Sequence, residues 1–320
     1  MSLNSLRPKV SIIGAGNVGV RYAYALMIKG IVRQIILVDI DRIRLEGEVM
    51  DLSHSAPYIS PTEILAGDYA DIKGSDLVVI TAGRKRKPGD TRLDLIGYNV
   101  ELYREIIPKI IEYAPEAIFL VVTNPVDILA YAAYKLSKKP AHEVISSGTV
   151  LDTARFRFLL ANHCKVDTRN VHAYILGEHG ESEFPVWSRV MIGGILFKDY
   201  CPTCINRFDC NREEVLQRII TEVRDSGQKI IEKKGETSYG IGLALVRITE
   251  AILNDEYSIL PVSCLVDGYL GLNDVYLSLP SIINKNGVHR VLEITLDEKE
   301  QKLLKRSAHA LKAVIKELNI

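Results

Sequence analysis

Short runs of apolar residues alternate with helix-like periods through the first half of the chain. Four of the runs are almost uninterrupted, which is typical of parallel strands covered on both faces. They span residues 10–13, 35–38, 77–81 and 117–123. Between the first two, residues 18–29 carry apolar side chains at helical spacing and stop at Gly30, a favourable C-terminal cap. The alternation predicts an α/β sheet whose parallel strands are joined by crossover helices.

The second half of the chain is less regular. The candidate elements are two strands, residues 171–176 and 287–294, and two helices, residues 213–234 and 297–318. The first helix ends at Gly235, and the second opens with Asp297 and Glu300 at the spacing of a capping box. These elements predict a mixed arrangement of helices and strands.

The length of the chain, 320 residues, exceeds one typical hydrophobic core. No linker rich in proline, glycine or serine marks a boundary, so we divide the chain where the alternation stops. We predict a doubly wound parallel sheet in residues 1–147, followed by a mixed α+β domain in residues 148–320.

Charge and composition favour a small-molecule partner. The 40 lysines and arginines balance 40 aspartates and glutamates, so no net field attracts nucleic acid or an anionic membrane. No apolar run reaches the ~20 residues of a membrane span, and residues 1–9 lack the apolar stretch of a signal peptide. The 5 cysteines are an odd number and do not resemble a secreted disulfide framework. We expect a cytoplasmic protein with no nucleic-acid or membrane partner.

The sequence GAGNVG at residues 14–19 follows a predicted strand and opens a predicted helix. Gly14 allows a tight turn, Gly16 lets backbone amides approach a pyrophosphate, and Gly19 lets the helix pack closely on the sheet. Asp39 ends the second strand, where its carboxylate can accept hydrogen bonds from both ribose hydroxyls and repel a 2′-phosphate. The pattern predicts a site for NAD rather than NADP.

A histidine lies between glycines in the sequence GEHG at residues 177–180. Histidine is the usual group for moving a proton near neutral pH, and a carboxylate behind it stabilises the imidazolium. Asp152 is the candidate carboxylate, three residues before Arg155, so the two share a face if this segment is helical. A surface ion pair is the other interpretation of Asp152 and Arg155.

Six sequence strings, spread along nearly the whole chain, make it resemble the lactate/malate dehydrogenase superfamily. The strings are GAGNVG, TAG, VTNPVDILAY, SGTVLDTARFRFLL, NVHAYILGEHGESEFPVWS and IEKKGETSYGIG. The resemblance implies an NAD-binding Rossmann domain in residues 1–147 and a substrate domain in residues 148–320. It also implies NAD-dependent interconversion of a 2-hydroxy and a 2-oxo acid, in a homotetramer or a dimer.

The resemblance also assigns roles to residues. His179 is the acid/base, paired with Asp152, and Arg155 holds the substrate carboxylate. Arg92 polarises the reacting carbonyl. Further substrate contacts are Asn124 and Thr237, with Ile241 beside them; the cofactor contacts are Gly14, Gly16, Asn17, Val18, Gly19, Asp39, Thr81, Ala82, Gly83, Asn99, Val122 and Asn124.

The loop at residues 81–92 is bounded by glycines and rich in cations, so it needs anionic partners or solvent. In the family, the residue six before the loop arginine Arg92 faces the variable end of the substrate, and here it is Arg86. A distal carboxylate would pair with Arg86, which predicts malate and oxaloacetate. Lactate and pyruvate are the alternative, because the second half resembles bacterial lactate dehydrogenases and Asp90 is an acid, as in lactate-type loops.

Two further features have open interpretations. Arg157 and His172 match positions that bind fructose 1,6-bisphosphate in allosteric bacterial lactate dehydrogenases, or they are surface cations without an effector. Cys201, Cys204 and Cys210 suggest thiolate ligands, a redox-sensitive pair or ordinary reduced cysteines. No fourth ligand for zinc is evident nearby, so no metal is included in the predicted site.

A different class of protein would keep the NAD site without catalysis, as a sensor or a structural oligomer. Such a protein predicts a damaged proton relay, whereas His179, Asp152 and both arginines are present. An NAD-dependent glycosidase would carry cysteine and histidine metal ligands beside its substrate motif, and the sequence has none there. An NAD-dependent dehydrogenase is therefore the favoured class.

Overall fold

The structure is a computed structural model that describes residues 8–84, 89, 91–201, 212–318 and 320, with the side chains of Arg92 and Arg212 outside the description. Within these ranges the helices are α1 Asn17–Lys29, α2 Arg42–Ser53, α3 Arg92–Tyr113, α4 Val126–Ser137, α5 Val150–Cys164, α6 Phe197–Tyr200, α7 Arg212–Lys234, α8 Tyr239–Leu253 and α9 Glu298–Glu317. The strands are β1 Lys9–Ile13, β2 Gln34–Val38, β3 Glu63–Ala66, β4 Leu77–Ile80, β5 Ile118–Val121, β6 Val144–Ser146, β7 Val171–His172, β8 Ile175–Leu176, β9 Phe184–Pro185, β10 Met191–Ile192, β11 Ile195–Leu196, β12 Ser258–Leu260, β13 Ser263–Val266, β14 Val275–Ser278, β15 Ser281–Asn284 and β16 Gly287–Val291.

The main sheet has the strand order β14-β13-β6-β5-β4-β1-β2-β3. Its first six strands in the chain are parallel, and β1 lies between β2 and β4, with Ile13 opposite both Val38 and Ile80. The direction of winding reverses between β1 and β4. In open α/β sheets, ligands bind at the carboxyl ends of the strands beside this reversal.

Both faces of the sheet are covered, as the apolar runs predict. Strand β4 illustrates this, because Val78 and Ile80 belong to one buried cluster while Leu77 and Val79 belong to the other. The first cluster contains side chains from α3, α4 and α9, and the second contains side chains from α1 and α8. A third cluster joins α5, α7 and the small strands that follow α5.

The predicted fold class, a doubly wound α/β sheet followed by a mixed second part, is confirmed. Helix α1 ends at Gly30 with a φ of 64°, and Asp297 and Glu300 form the predicted capping box of α9. Strands β13 and β14 from the second half add to the β6 edge in antiparallel orientation, which the sequence pattern did not indicate. The division at residue 147 stays a prediction.

The single strand predicted at residues 171–176 is wrong, because the structure has two short strands there. The first, β7, pairs with β10, and the second, β8, pairs with β9. The chain passes from one small sheet to another within this segment, so one apolar run serves two sheets. Among the described residues, no helix has the length and apolar character needed to cross a bilayer.

Candidate active site

The glycine turn after β1 lies at the reversal point of the sheet. Gly14 has a φ of 106°, and a Cβ built there would lie 2.5 Å from the backbone nitrogen of Ala82. A Cβ on Gly19 would lie 2.1 Å from the carbonyl oxygen of Gly14. Both positions therefore require glycine for close backbone packing. These contacts bring the first turn of α1 against the end of β4.

Gly16 differs from its two neighbours because a Cβ there would meet no atom within 4 Å. It is the N-cap of α1, with no side-chain capping bond and no acidic residue in the first turn. The first N–H groups of a helix have no partners within the helix and carry a partial positive charge. The turn is thus an open cradle for an anion such as a pyrophosphate.

Asp39 follows β2 and faces the same turn. Its Oδ2 accepts a hydrogen bond of 2.7 Å from the backbone N–H of Ala15, and its Oδ1 accepts one of 3.0 Å from Asp41. These bonds fix the carboxylate beside the cradle, where a ribose would lie. The side chain of Asn17 accepts a hydrogen bond of 3.1 Å from Arg44 and therefore points towards α2. Together, the open cradle and the fixed carboxylate fit NAD.

The segment after β4 is tied to both neighbouring strands. Thr81 donates to the carbonyl of Gly14 at 2.6 Å, and Thr123 donates to the carbonyl of Ala82 at 2.7 Å. A Cβ on Gly83 would lie 2.2 Å from the Thr123 methyl group. The segment therefore forms a fixed wall of the cofactor groove.

Asn99 connects this wall to the start of the substrate region. It is fully buried on α3. Its Oδ1 accepts from the backbone N–H of Arg84 at 2.8 Å, and its Nδ2 donates to the carbonyl of Asn124 at 3.2 Å. The structure thus places Asn99 as a brace between two predicted contact segments.

One buried carboxylate organises the predicted proton relay. Asp152 is 2% exposed in the first turn of α5. Its Oδ2 lies 2.7 Å from Nδ1 of His179, and its Oδ1 accepts a hydrogen bond of 2.9 Å from Nη1 of Arg155. The structure brings these three residues together, although Asp152 and His179 are 27 residues apart in the sequence.

The backbone also fixes the position of His179. Its N–H donates to Oδ2 of Asp127 on α4 at 2.8 Å. Gly177, two residues earlier, has a φ of 94°, and a Cβ there would lie 2.8 Å from the Ser307 side chain. The loop that carries His179 is therefore held by α4 on one side and by α9 on the other.

Electrostatic interactions keep the histidine charged. Burial alone would lower the pKa of His179. The negative charge of Asp152 and its hydrogen bond outweigh that effect and raise the pKa to about 9. Burial raises the pKa of Asp152, but His179 and Arg155 bring it below its ordinary value. At neutral pH the pair is an imidazolium beside a carboxylate, which is a proton donor with its counter-ion in place.

A cavity of about 640 Å³ joins the cofactor groove to the relay. Its lining includes predicted residues from both halves of the chain, namely Val18, Val122, Asn124, Asp152, Arg155, His179, Thr237 and Ile241. Arg86 and Asp90 lie outside the described residues, as does the side chain of Arg92. The described parts of the predicted substrate site therefore share one cavity.

The predicted effector residues lie elsewhere on the surface of α5 and β7. Arg157 donates from Nε to the carbonyl of Ala173 at 3.0 Å, and burial lowers its pKa. His172 is exposed on β7. Cys201 is half-buried, while Cys204 and Cys210 lie outside the described residues.

Sequence reasoning missed three residues around the relay. Asp127 holds the His179 backbone, and burial raises the pKa of Asp127 to about 6. Glu183 lines the cavity, and Arg224 on α7 donates to the backbone carbonyl of Glu183 at 3.0 Å. Two signals for these residues were available in the sequence. One is an acid, Asp127, within the apolar helix sequence VDILAYAA, and the other is an acid, Glu183, beside Phe184.

The structure places a nucleotide cradle, a buried aspartate paired with a half-buried histidine, and an adjacent arginine around one cavity, an arrangement suited to an NAD-dependent dehydrogenase. Residues 8–146 match the family model for the lactate/malate dehydrogenase NAD binding domain. Residues 149–319 match the model for the alpha/beta C-terminal domain of the same family. The chain belongs to the lactate/malate dehydrogenase family, and its cofactor is NAD.

Curated relatives and solved structures resemble the whole chain. It is 48% identical to an L-lactate dehydrogenase of Acetivibrio thermocellus over 320 residues, all of both chains. It is 49% identical to one of Kosmotoga olearia, covering 97% of this chain and 96% of that one. The crystal structure of a lactate dehydrogenase from a Medee basin deep-sea metagenome library has a TM-score of 0.94 and 43% identity, covering 98% of this chain and 99% of that chain. The minor L-lactate dehydrogenase of Enterococcus mundtii has a TM-score of 0.93 and 37% identity, covering 98% of each chain.

These relatives overturn the prediction of malate dehydrogenase. That prediction is wrong, because the relatives that match nearly the whole chain are named L-lactate dehydrogenase. It rested mainly on one loop residue, Arg86, taken to be enclosed at the far end of the substrate, and also on the malate-like residues 87–89 that follow it. Arg86 lies outside the described residues, so no observed contact supports that enclosure. The likeness of the whole chain is the stronger evidence.

Proposed function

We propose that this protein is an NAD-dependent L-lactate dehydrogenase, which interconverts pyruvate and L-lactate. The observation that carries the proposal is the Asp152 carboxylate, which binds His179 and Arg155 at once in the cavity beside the cofactor groove. The relatives named L-lactate dehydrogenase support the choice of pyruvate among 2-oxo acids.

Arg155 is the proposed anchor for the substrate carboxylate. Its side chain is 18% exposed, and its bond to Asp152 involves Nη1, which restricts the position of the guanidinium. A planar guanidinium can match a carboxylate with two parallel hydrogen bonds. Binding the carboxylate there orients the 2-oxo group towards His179, which lines the same cavity.

His179 is the proposed proton donor. Its Nδ1 is engaged by Asp152, so Nε2 is the atom left to face the carbonyl oxygen. NADH, when bound, supplies the hydride that reaches the carbonyl carbon. As negative charge develops on the oxygen, His179 transfers its proton there and Asp152 holds the ring orientation. In the reverse direction, neutral His179 takes the proton from the lactate hydroxyl.

Arg92, Asn124 and Thr237 complete the proposed substrate site. The family resemblance assigns Arg92 to polarising the carbonyl, while Asn124 and Thr237 line the cavity. For the cofactor we retain the predicted contact set from Gly14 to Asn124.

We propose that the protein forms a homotetramer. Large apolar side chains are exposed on two helices, Ile43 on α2 and Tyr239 on α8, and such surfaces often lie in subunit interfaces. A fructose 1,6-bisphosphate site at Arg157 and His172 stays a prediction.

The proposal is tested by incubating the purified protein with NADH and pyruvate and separating the enantiomers of the product. We expect stoichiometric oxidation of NADH and formation of L-lactate. No oxidation of NADH with pyruvate, at any concentration of fructose 1,6-bisphosphate, would reject the proposal.

The pH dependence should follow the protonation of His179. Its pKa is raised to about 9, so the protonated form that reduces pyruvate persists at neutral pH and is lost as pH rises through that value. The titration of His179 by itself makes kcat/KM for pyruvate fall above about pH 9 and lactate oxidation rise over the same range. Asp152→Asn removes the raising interaction and should shift both limbs to lower pH. Identical limbs in the variant would contradict the assigned pairing.

Two glycine variants should separate cofactor binding from folding. For Gly16→Ala, no atom lies within 4 Å of the added methyl group, so we expect an unchanged Tm. The affinity for NADH should fall by roughly tenfold or more, because the methyl occupies the path of the pyrophosphate. For Gly19→Ala, the added methyl group would lie 2.1 Å from the Gly14 carbonyl oxygen. The free energy of unfolding should therefore fall by about 1 to 3 kcal/mol. Thermal melts with NADH titrations measure both, and unaltered NADH affinity in Gly16→Ala would contradict the cradle.

A further inference from the structure

Glu183 is a buried carboxyl group that the mechanism above does not use. It immediately precedes β9, lines the active-site cavity and is 4% exposed. One oxygen of Glu183 lies within 4.8 Å of ligand atoms of both Asp152 and His179. Among the described residues, the Glu183 carboxylate makes no hydrogen bond and no ion pair within 4.0 Å, although Arg224 bonds to its backbone carbonyl. A buried, unpaired carboxylate is costly, so its protonation state matters.

The charges around Glu183 nearly balance without it. Those in the cavity are Asp152 and Arg155 on α5, His179 and Glu181 in the loop, and Arg224 and Asp225 on α7, with Asp127 on α4 behind His179. Asp152 already neutralises one of the two cations next to it. An ionised Glu183 would place another carboxylate near His179 and Arg155, in addition to Asp152, and would oppose the binding of an anionic substrate there.

A metal ion held by Asp152, His179 and Glu183 is the other interpretation of this cluster. Both oxygens of Asp152 are already bonded, one to Nδ1 of His179 and the other to Arg155. A metal would have to break these bonds beside a guanidinium, so the geometry favours a proton over a metal.

We propose that Glu183 is a proton-linked determinant of substrate affinity, because its carboxyl group must be protonated for an anionic 2-oxo acid to bind beside Arg155. At a pH where Glu183 is ionised in the free enzyme, substrate binding is accompanied by protonation of Glu183, in addition to any proton taken up by His179. This inference rests on the proposed function and adds a positioning residue to it.

The electrostatic surroundings of Glu183 support this. Burial and then the negative charge of Asp152 raise its pKa to about 8, against the opposing effects of His179, Arg224 and Arg155. Glu183 is therefore protonated at neutral pH and ionises as pH rises through that value. His179 loses its proton at a higher pH, about 9. Two groups, and not one, should govern the alkaline loss of binding.

The test counts protons taken up when oxamate, a non-reacting isostere of pyruvate, binds to the complex of enzyme and NADH. Calorimetric titrations in buffers of different ionisation enthalpy give this number between about pH 7 and pH 9.5. For the wild type we expect the count to exceed one, reaching roughly 1.5 or more per site at the upper end. In Glu183→Gln the count should not exceed about one, because only His179 remains.

Glu214→Gln, at an exposed position in the first turn of α7, is the matched control and should give the wild-type curve. A wild-type count that never exceeds about one proton would overturn the inference without any variant. So would equal counts in the wild type and Glu183→Gln. If the wild type bound oxamate tightly and reduced pyruvate, such a result would leave the proposed function intact. Failure of the wild type to reduce pyruvate would overturn both.

Discussion

Asparagine in place of His179 should lower kcat for pyruvate reduction by roughly 10²- to 10⁴-fold. The amide can donate a hydrogen bond to the carbonyl oxygen but cannot transfer a proton to the alkoxide that forms. The cofactor cradle is built from Gly14 to Asp39 and does not involve this side chain. NADH affinity, measured by fluorescence titration, should therefore stay within about twofold of the wild type.

His309→Asn is a suitable control, because His309 is exposed on α9 and lies outside the cavity lining. It should turn over pyruvate like the wild type. Full turnover in His179→Asn would remove the relay from the account. A loss of activity together with a large loss of NADH affinity would indicate structural damage instead of lost proton transfer.

Lysine in place of Arg155 should raise KM for pyruvate by roughly 30- to 150-fold, equivalent to about 2 to 3 kcal/mol of lost binding. Lysine keeps the positive charge but cannot present two parallel donors to a carboxylate. It also loses the fixed geometry of the 2.9 Å bond to Asp152. We expect a smaller effect on kcat, since His179 keeps its own bond to Asp152.

The chain offers a close control in Arg104→Lys. Arg104 forms a 3.1 Å ion pair with Glu101 at the same i,i+3 spacing, but on an exposed part of α3. Exposed pairs of this kind contribute little, so the control should keep the wild-type KM. Steady-state kinetics over a pyruvate series decides the result. Equal KM values for Arg155→Lys and the wild type would show that another residue anchors the carboxylate.

The sequence predicted the cofactor groove because its requirements are local. A turn with a positive φ at Gly14 and a helix opening at Asn17 depend on neighbouring residues and therefore appear as a short motif. The ends of α1 and α9 were predictable for the same reason, since Gly30 and Asp297 act within one helical turn. Asp152 could be named as a candidate partner of His179, but the sequence left a surface ion pair open because the two residues are 27 positions apart.

The missed features depend on contacts between distant segments. Asp127 holds the His179 backbone from 52 residues away, and nothing near either residue indicates this bond. Glu183 follows the loop glycine Gly180, and only the tertiary structure shows that it is buried near Asp152. The two strands formed from residues 171–176 have partners elsewhere in the chain, so an apolar run alone could not separate them.

The malate prediction shows the risk of reading specificity from one loop residue. The chemical argument needed Arg86 to be enclosed with the substrate, a tertiary property that residue type and spacing do not fix. Identity of 48% over the whole chain to an L-lactate dehydrogenase reflects many positions at once and is the stronger guide.

The most direct test of the central claim is the ratio of kcat/KM for pyruvate to kcat/KM for oxaloacetate, measured with NADH at saturating concentration. The proposed function predicts a ratio in favour of pyruvate of roughly 100-fold or more. A higher kcat/KM for oxaloacetate would contradict it and would make Arg86 the residue that selects the substrate.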